Sequence, residues 1–408
     1  MISKKKALIG ALVLVLITVI VTMTLGNYIA LRLGENYLVS DNHMEYYQDL
    51  EEDFSKLTYM RDFLMENYYE ELDEDALMEG AVRGMFEATG DPYTTYMSTE
   101  EYEDFMSETE GSFGGIGIIV TPGEDGYVTV VSPIESTPGF RAGIQTGDRI
   151  IEVDGQEVQG PNLNKAVELM RGEPGTEVNV TIRREGEREL IELNIVRDTI
   201  KIETVHHEML EDAIGYIRIT NFNQQTARDF REALDDLVDN DMQGLVLDLR
   251  NNPGGLLSQT IEIADLILDE QVIVFTEDRD GTRREETSSS SHVDVPLTVL
   301  VNKGSASASE ILAGAVQDGE RGTIIGETTF GKALVQGIRN YAEDGSGFRY
   351  TVSQYFTPDG NYIQDEGIEP DIIVEMDGPV SVELIEEGED LQLQRGIEVL
   401  REALNLED

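Results

Sequence analysis

Three serines alternate with alanine at Ser305, Ser307 and Ser309, inside the stretch VLVNKGSASASEILAGAVQDGERGTIIGETTFGKALVQ that runs from Val299 to Gln336. The apolar, strand-like run Pro296 to Val301 stops at Asn302-Lys303-Gly304 just before them. Glu310 then opens a helical pattern through Ile311, Leu312 and Val316. A serine at such a strand-to-helix turn sits where backbone N–H groups are free and the helix dipole is positive. That setting favours an oxyanion, so the turn suits acyl transfer. A serine nucleophile also needs a base. The histidines are poorly placed for it: His206 and His207 adjoin in a polar stretch, and His292 closes Ser288 to Ser291. Lys332, between Gly331 and Ala333 and followed by Leu334 and Val335, is the better candidate, because an apolar neighbourhood disfavours the ammonium. Bringing a lysine pKa from about 10.4 to near 7 takes roughly 4 to 5 kcal/mol of desolvation. Such a lysine must be well buried.

Each of these residues also has an ordinary explanation. Ser307 and Glu310 make a capping box, S-x-x-E, which needs no catalysis, and the local pattern does not choose among the three serines. A lone lysine is usually a solvated surface residue. Here lysine is scarce (Lys4, Lys5, Lys6, Lys56, Lys165, Lys201, Lys303 and Lys332), so one in an apolar context stands out.

The elements that must position these groups follow from the chain in order. Its 408 residues suffice for two or three domains, and 40% hydrophobic content fits a globular protein. The formal net charge of −51 argues against nucleic acid as a ligand, since phosphate binding needs clustered Lys and Arg. It reads as a solvated acidic surface, as would suit a high-salt habitat. The absence of cysteine excludes a thiol nucleophile, disulfides and an acylated cysteine. Lys4, Lys5 and Lys6 precede the apolar run Ala7 to Leu25, long enough to span a bilayer as a helix. The basic flank places that end in the cytoplasm and the remainder outside. Thr24-Leu25-Gly26 is a poor cleavage site, so an uncleaved anchor is preferred to a signal peptide. From His43 to Ser107 the pattern is helical and acidic until Gly90-Asp91-Pro92 breaks it. In GSFGGIGIIV, successive glycines let backbone N–H groups converge on an anion, and a strand follows them. A dinucleotide loop would instead open a helix. Between Asp198 and Glu375 strands and helices alternate. The buried strand Gly244 to Leu249 ends at Arg250-Asn251-Asn252-Pro253-Gly254-Gly255, where Pro253 cannot donate and Gly254 or Gly255 can. Glu277 to Ser291 reads as a loop or exposed hairpin, and Asp390 to Leu404 as a last helix packed back on the core.

The SASASE segment, the FGK-x3-Q segment and their spacing resemble the tail-specific (C-terminal processing) serine peptidases, over a span from about Tyr68 to the C-terminus. That resemblance implies Ser307 as nucleophile, Lys332 as general base and Gln336 as the residue positioning the lysine. It implies an oxyanion hole from Gly254 and Ala308. Gly111 to Arg197 resembles a PDZ domain: Gly114, Gly115, Ile116 and Gly117 form its carboxylate loop, a bound tail would pair along Ile116 to Val120, and Ile116, Ile118 and Val167 offer an apolar slot for its last side chain. In the family an arginine matching Arg171 couples ligand binding to the active site. The family's usual wording is altered to GDPYTTYM, with no catalytic residue put in doubt, and TPDGNYIQDEGIEPDI resembles a signature near the substrate cleft. In the family the helical segment often supports dimer formation, so a homodimer is expected.

The expected fold is multidomain α+β. Residues 1–40 form a transmembrane anchor and juxtamembrane segment, 41–110 a helical region, and 111–197 a PDZ domain of β-sandwich-like build with short helices. Residues 198–375 form an αβ spiral-type (crotonase- and ClpP-like) peptidase core, and 376–408 a C-terminal helical region. The expected protein is a single-pass, extracytoplasmic membrane endopeptidase acting on accessible C-terminal tails. It needs no cofactor and no metal, since no metal-ligand spacing occurs. Two rival classes are a catalytically silent PDZ scaffold, which loss of Ser307 or Lys332 would signal, and an acyl-transfer or hydratase enzyme, which would leave the PDZ-like segment unexplained.

Overall fold

The computed structural model describes residues 4–26, 31–33, 36–38, 41–123, 126–376 and 390–406. The chain forms two compact units, 1–88 and 89–408. In the first, α1 (Lys4–Gly26) is followed by the antiparallel pair β1 (Leu31–Leu33) and β2 (Asn36–Leu38), then α2 (Asp41–Asn67) and α3 (Glu74–Glu87). Asp73 starts α3 by accepting from the N–H groups of Asp75 and Ala76 at 2.9 and 3.2 Å. On α1 the described large apolar side chains, from Ile9 to Val21, are exposed. Among the described residues no helix is long and apolar enough to cross a membrane. Part of Ala7 to Leu25 lies outside the described side chains, so the anchor rests on the sequence. Parts of the expected juxtamembrane segment also lie outside the described residues, as do residues 377–389 of the C-terminal region.

The second unit begins with β3 (Thr95–Met97) and α4 (Thr99–Glu110). A capping box starts α4, with Ser98 Oγ accepting from Glu101 N–H and the Glu101 carboxylate accepting from Ser98 N–H. Next come β4 (Ser112–Gly115), β5 (Ile118–Pro122), β6 (Val128–Pro133), α5 (Pro138–Arg141), β7 (Arg149–Val153), β8 (Gln156–Glu157) and α6 (Leu163–Met170). β9 (Glu177–Arg183), β10 (Ile191–Val196) and β11 (Asp198–Lys201) complete this part. Its sheet has the order β10-β9-β7-β6-β5, with β8 on β7, and β5 forms an edge. Alternate residues Val128, Ile150, Val180 and Ile182 fill the core, the period-2 pattern of a half-buried strand.

The core then runs β12 (Val205–Met209), β13 (Ile214–Ile219), α7 (Thr226–Asp239), β14 (Gly244–Asp248), α8 (Leu257–Ile267), β15 (Val272–Asp278), β16 (Arg283–Thr287) and β17 (Leu297–Val301). It continues with α9 (Ala308–Asp318), β18 (Thr323–Gly326), β19 (Leu334–Asn340), β20 (Gly347–Phe356), β21 (Ile372–Ile373) and α10 (Leu391–Leu404). The main sheet has the order β12-β13-β14-β17-β18-β21, parallel apart from β12. β14 and β17 are buried at every position, as apolar runs are when both faces of a parallel sheet are covered. Helices α7, α8 and α9 pack on one face, and α10, through Leu400, on the other. A second sheet, β16-β15-β20-β19 with β3 on β20, carries the lysine segment beside the serine turn. The charged stretch after Glu277 is the expected hairpin, β15–β16.

At the end of β14, Asp248 and Arg250 are wholly buried. The guanidinium pairs with Asp248 at 2.6 Å and Asp390 at 2.7 Å, and donates to Gln392 Oε1 at 3.2 Å. A charge is tolerated in such a place only when its donors are matched this fully.

Candidate active site

The structure distinguishes the three serines that the pattern left equivalent. Ser305 Oγ is buried, donating to Leu249 O at 2.8 Å and accepting from Asn302 N–H at 2.9 Å. Ser309 Oγ is buried and donates to Asn252 O at 3.0 Å. Ser307 alone of the three faces a cavity of about 540 Å³ and is only half-buried. It occupies the N-cap position of α9 with φ 54° and ψ −111°. That is not the extended backbone of a simple cap, and for a non-glycine residue it costs on the order of 1–3 kcal/mol. The turn is held this way by its surroundings, Ser307 N–H donating to the Glu310 carboxylate at 2.7 Å.

Lys332 lines the same cavity from the loop before β19. Three ties hold the serine turn and the lysine loop together. The buried Glu310 carboxylate accepts four bonds: from Ser307 N–H at 2.7 Å, Lys332 N–H at 3.0 Å, Gly331 N–H at 2.7 Å and Thr329 Oγ1 at 2.6 Å. The buried Tyr355 hydroxyl donates to Lys332 O at 2.6 Å, with Ser307 O 3.2 Å away. Phe330 N–H donates to Ser305 O at 3.0 Å. The TPDGNYIQDEGIEPDI turn closes the lysine loop from behind, Gln364 Oε1 accepting from Ala333 N–H at 2.9 Å. Glu310 is thus far more than the cap its spacing suggests. Burial raises its carboxyl above the ordinary range, with the four bonds pulling the other way.

Burial lowers the Lys332 ammonium below the ordinary lysine range, and Arg349 adds to this, while Asp91 and Glu310 oppose it. The nitrogen rests over the Tyr93 ring, 4.4 Å from its centroid. Gln336 lines the cavity too, at the bulge where the β19–β20 register shifts between Val335 and Gln336. Its Nε2 is buried and has no hydrogen-bond partner among the described residues. Gln336 thus shares the cavity with Lys332, while the lysine nitrogen lies on Tyr93.

One expectation is corrected. Gly254 N–H, expected in the oxyanion hole, donates to the side chain of buried Asn252 at 2.9 Å. What Gly254 supplies here is room: at φ 104°, an added Cβ would fall 2.7 Å from Ala306 O and 3.0 Å from Ser307 Cβ. Ala308 fits its expected part, being the first residue of α9, where N–H groups have no partner within the helix.

Comparison with known proteins gives the family. Residues 213–374 match peptidase family S41, 114–195 match a PDZ domain, and 20–101 match the N-terminal domain of the activating protease CtpB. The chain is 41% identical over 325 residues to the carboxy-terminal processing protease CtpA of Bacillus subtilis (strain 168), covering 79% of this chain and 69% of that protein. The chain belongs to peptidase family S41. It is also 43% identical to a carboxy-terminal-processing protease of Bartonella bacilliformis, over 75% of this chain and 71% of that protein. A third relative, CtpB of Bacillus subtilis, is 37% identical over 77% and 66% of the two chains.

In this S41 peptidase the PDZ residues are arranged differently from expectation. Gly114 and Gly115 are not an open loop: they pair in β4 with Thr199 and Asp198 of β11. Gly114 O also accepts from Gly172 N–H at 3.1 Å, and a Cβ on Gly114 would strike Gly172 O. Only Ile116 and Gly117 remain between strands, and the edge strand starts at Ile118. Ile116 is 2% exposed and belongs to the domain core, so it forms no slot wall. Ile118 on β5 and Val167 on α6 are half-buried. Arg171 faces away from β5: its guanidinium pairs with Asp104 on α4 and lies 5.0 Å from the Phe113 ring centroid. Because Phe105, Glu108 and Thr109 of α4 line the catalytic cavity, Arg171 touches the helix that walls the site.

Asp91, Tyr93, Arg349 and Tyr355 were missed by the sequence reading. The signal for the first two lay in GDPYTTYM, read as a helix breaker and as altered family wording without bearing on catalysis.

Proposed function

We propose that this S41 peptidase is a membrane-anchored, extracytoplasmic endopeptidase that reads protein C-terminal tails with its PDZ domain and cuts through a Ser307–Lys332 dyad. The observation that carries this reading is that the half-buried Ser307, at the start of α9, and the half-buried Lys332, whose ammonium burial disfavours, line one cavity. Neutral Lys332 takes the Oγ proton as Oγ bonds to the scissile carbonyl carbon. The oxyanion that forms is stabilised by the Ala308 N–H and the positive end of α9. The C–N bond then breaks, the leaving amine takes the proton from Lys332, and water hydrolyses the ester by the same route. Lys4 to Lys6 ahead of an apolar helix support the anchor and its orientation. The parallel main sheet supports an αβ spiral-type core.

The test is incubation of the protein with an unfolded substrate and mass spectrometry of the fragments. Wild type is expected to cut, and Lys332→Ala to lose about 100-fold or more in kcat/KM. For wild type, kcat/KM is expected to rise with pH until the neutral lysine predominates, below the pH of an ordinary lysine. A flat profile, or full activity in Lys332→Ala, removes the lysine from the mechanism. No cutting by a folded wild type would favour the silent scaffold.

The tail reader is tested with matched peptides. The edge of β5 is open to an added strand, and the Ile116–Ile118 turn offers N–H groups to a terminal carboxylate. A free-acid peptide ending in Ala, Val or Leu is expected to be bound about 10- to 150-fold more tightly than its amide, the worth of one charge-assisted contact. Equal binding and cleavage would leave the PDZ domain as a shield only.

A further inference from the structure

The turn Asp91–Thr94 takes no part in the mechanism above, yet it is built against the lysine. Asp91 Oδ1 accepts from Tyr93 N–H at 2.9 Å, and Oδ2 accepts from Thr94 Oγ1 at 2.7 Å and Thr351 Oγ1 at 2.5 Å. Thr351 N–H donates in turn to Thr94 Oγ1 at 3.1 Å. Thr351 is the β20 residue paired in register with Gln336. The turn is therefore fixed on the strand directly opposite Gln336, and it presents the Tyr93 ring to Lys332 Nζ.

Resting on the dyad reading, we propose that this turn is a docking platform for the charged form of Lys332, with Tyr93 giving its ring face and Asp91 the counter-charge, and that Tyr93 and Asp91 are positioning residues for the base. The chemistry of the two sides of the cavity separates the two forms of the lysine. An ammonium is attracted to a ring face and a carboxylate. It has no lone pair, so it could meet the Gln336 amide only through Oε1 and would leave Nε2, which has no partner among the described residues, unpaired, whereas the neutral amine can accept from Nε2. Protonated lysine belongs on Tyr93, and the free amine toward Gln336 and Ser307. Burial works to raise the Asp91 carboxyl, but the bonds from Thr351, Thr94 and Tyr93 N–H, together with Lys332, hold it below the ordinary range and thus charged. The other groups facing the lysine are Glu310 from α9, which also favours the ammonium, and Arg349 from β20, which opposes it.

The test reads the lysine directly, in the full-length Ser307→Ala protein, by trace acetylation with acetic anhydride across a pH series. Mass spectrometry follows Lys332 relative to Lys303, which is 82% exposed. Tyr93→Leu and Asp91→Asn are each expected to move the Lys332 midpoint to lower pH by about half a pH unit or more, because each removes support for the ammonium. Tyr93→Phe keeps the ring face and is expected to match the parent. In proteins with Ser307 restored, the acid limb of kcat/KM is expected to move in the same direction. An unchanged or raised midpoint in Tyr93→Leu, or Tyr93→Phe behaving like Tyr93→Leu, overturns the proposal. Failure of the dyad reading shows separately, as cleavage surviving Lys332→Ala while the labelling midpoints still shift.

Discussion

Ser307→Ala is expected to leave a folded protein that has lost at least about 10⁴-fold in cleavage rate, the scale on which serine nucleophiles fail when removed. Its neighbours are expected to behave in the opposite sense. Ser305→Ala and Ser309→Ala strip buried hydroxyls from Leu249 O and Asn252 O, so each costs about 1–3 kcal/mol of stability and leaves measurable activity. Ser307→Gly provides an internal control. At φ 54° glycine relieves a strained backbone, so this variant should be as inactive as Ser307→Ala and more stable than it, by about 1 kcal/mol. Chemical denaturation and a fragment assay on the same four preparations check all of this. Equal activity loss in the three alanine variants, with folding intact, would defeat the assignment of Ser307.

The second large effect falls on Glu310. Each carboxylate oxygen serves two donors: Oε1 takes Thr329 and Gly331, and Oε2 takes Ser307 and Lys332. Glutamine offers one acceptor oxygen and turns an NH2 toward the other pair, so at most two of the four bonds survive. Glu310→Gln is expected to cost about 3 kcal/mol or more, since buried N–H groups lose a charged partner. Activity should fall at least about 100-fold, because the nucleophile and base loops lose their shared tie. A fall in activity with unchanged stability would mean that Glu310 touches the chemistry itself. Neither change would mean that Tyr355 and Phe330 hold the loops without it.

The divide between what was legible and what was not follows contact range. β17, the turn and α9 could be read from Pro296 to Val316 because strand run, breaker and helical spacing are local signals. The same holds for β14 and α10. Lys332 was legible as a residue out of place in an apolar segment. The choice among Ser305, Ser307 and Ser309 was not, because it depends on whether Leu249 O and Asn252 O lie within reach, more than fifty residues away in sequence. Tyr93 was missed for the same reason: it reaches Lys332 only because β3 pairs with β20. The glycines of GSFGG misled because close packing asks for the same residue as an anion loop. Gly114 is needed for the approach of Gly172, and its strand partner β11 lies beyond the PDZ sheet.

Arg250 sits two residues after β14, at the head of the loop that carries Gly254 to Ser307, and half of its buried charge is answered by Asp390, 140 positions downstream. During synthesis the serine, the lysine and the whole main sheet therefore emerge before the carboxylate that settles the guanidinium. Until Asp390 and α10 arrive, Asp248 alone faces that guanidinium, whose other donors are left without their partners. A chain cut short before Asp390 is therefore expected to keep Asp248 but lose the second carboxylate that faces this guanidinium.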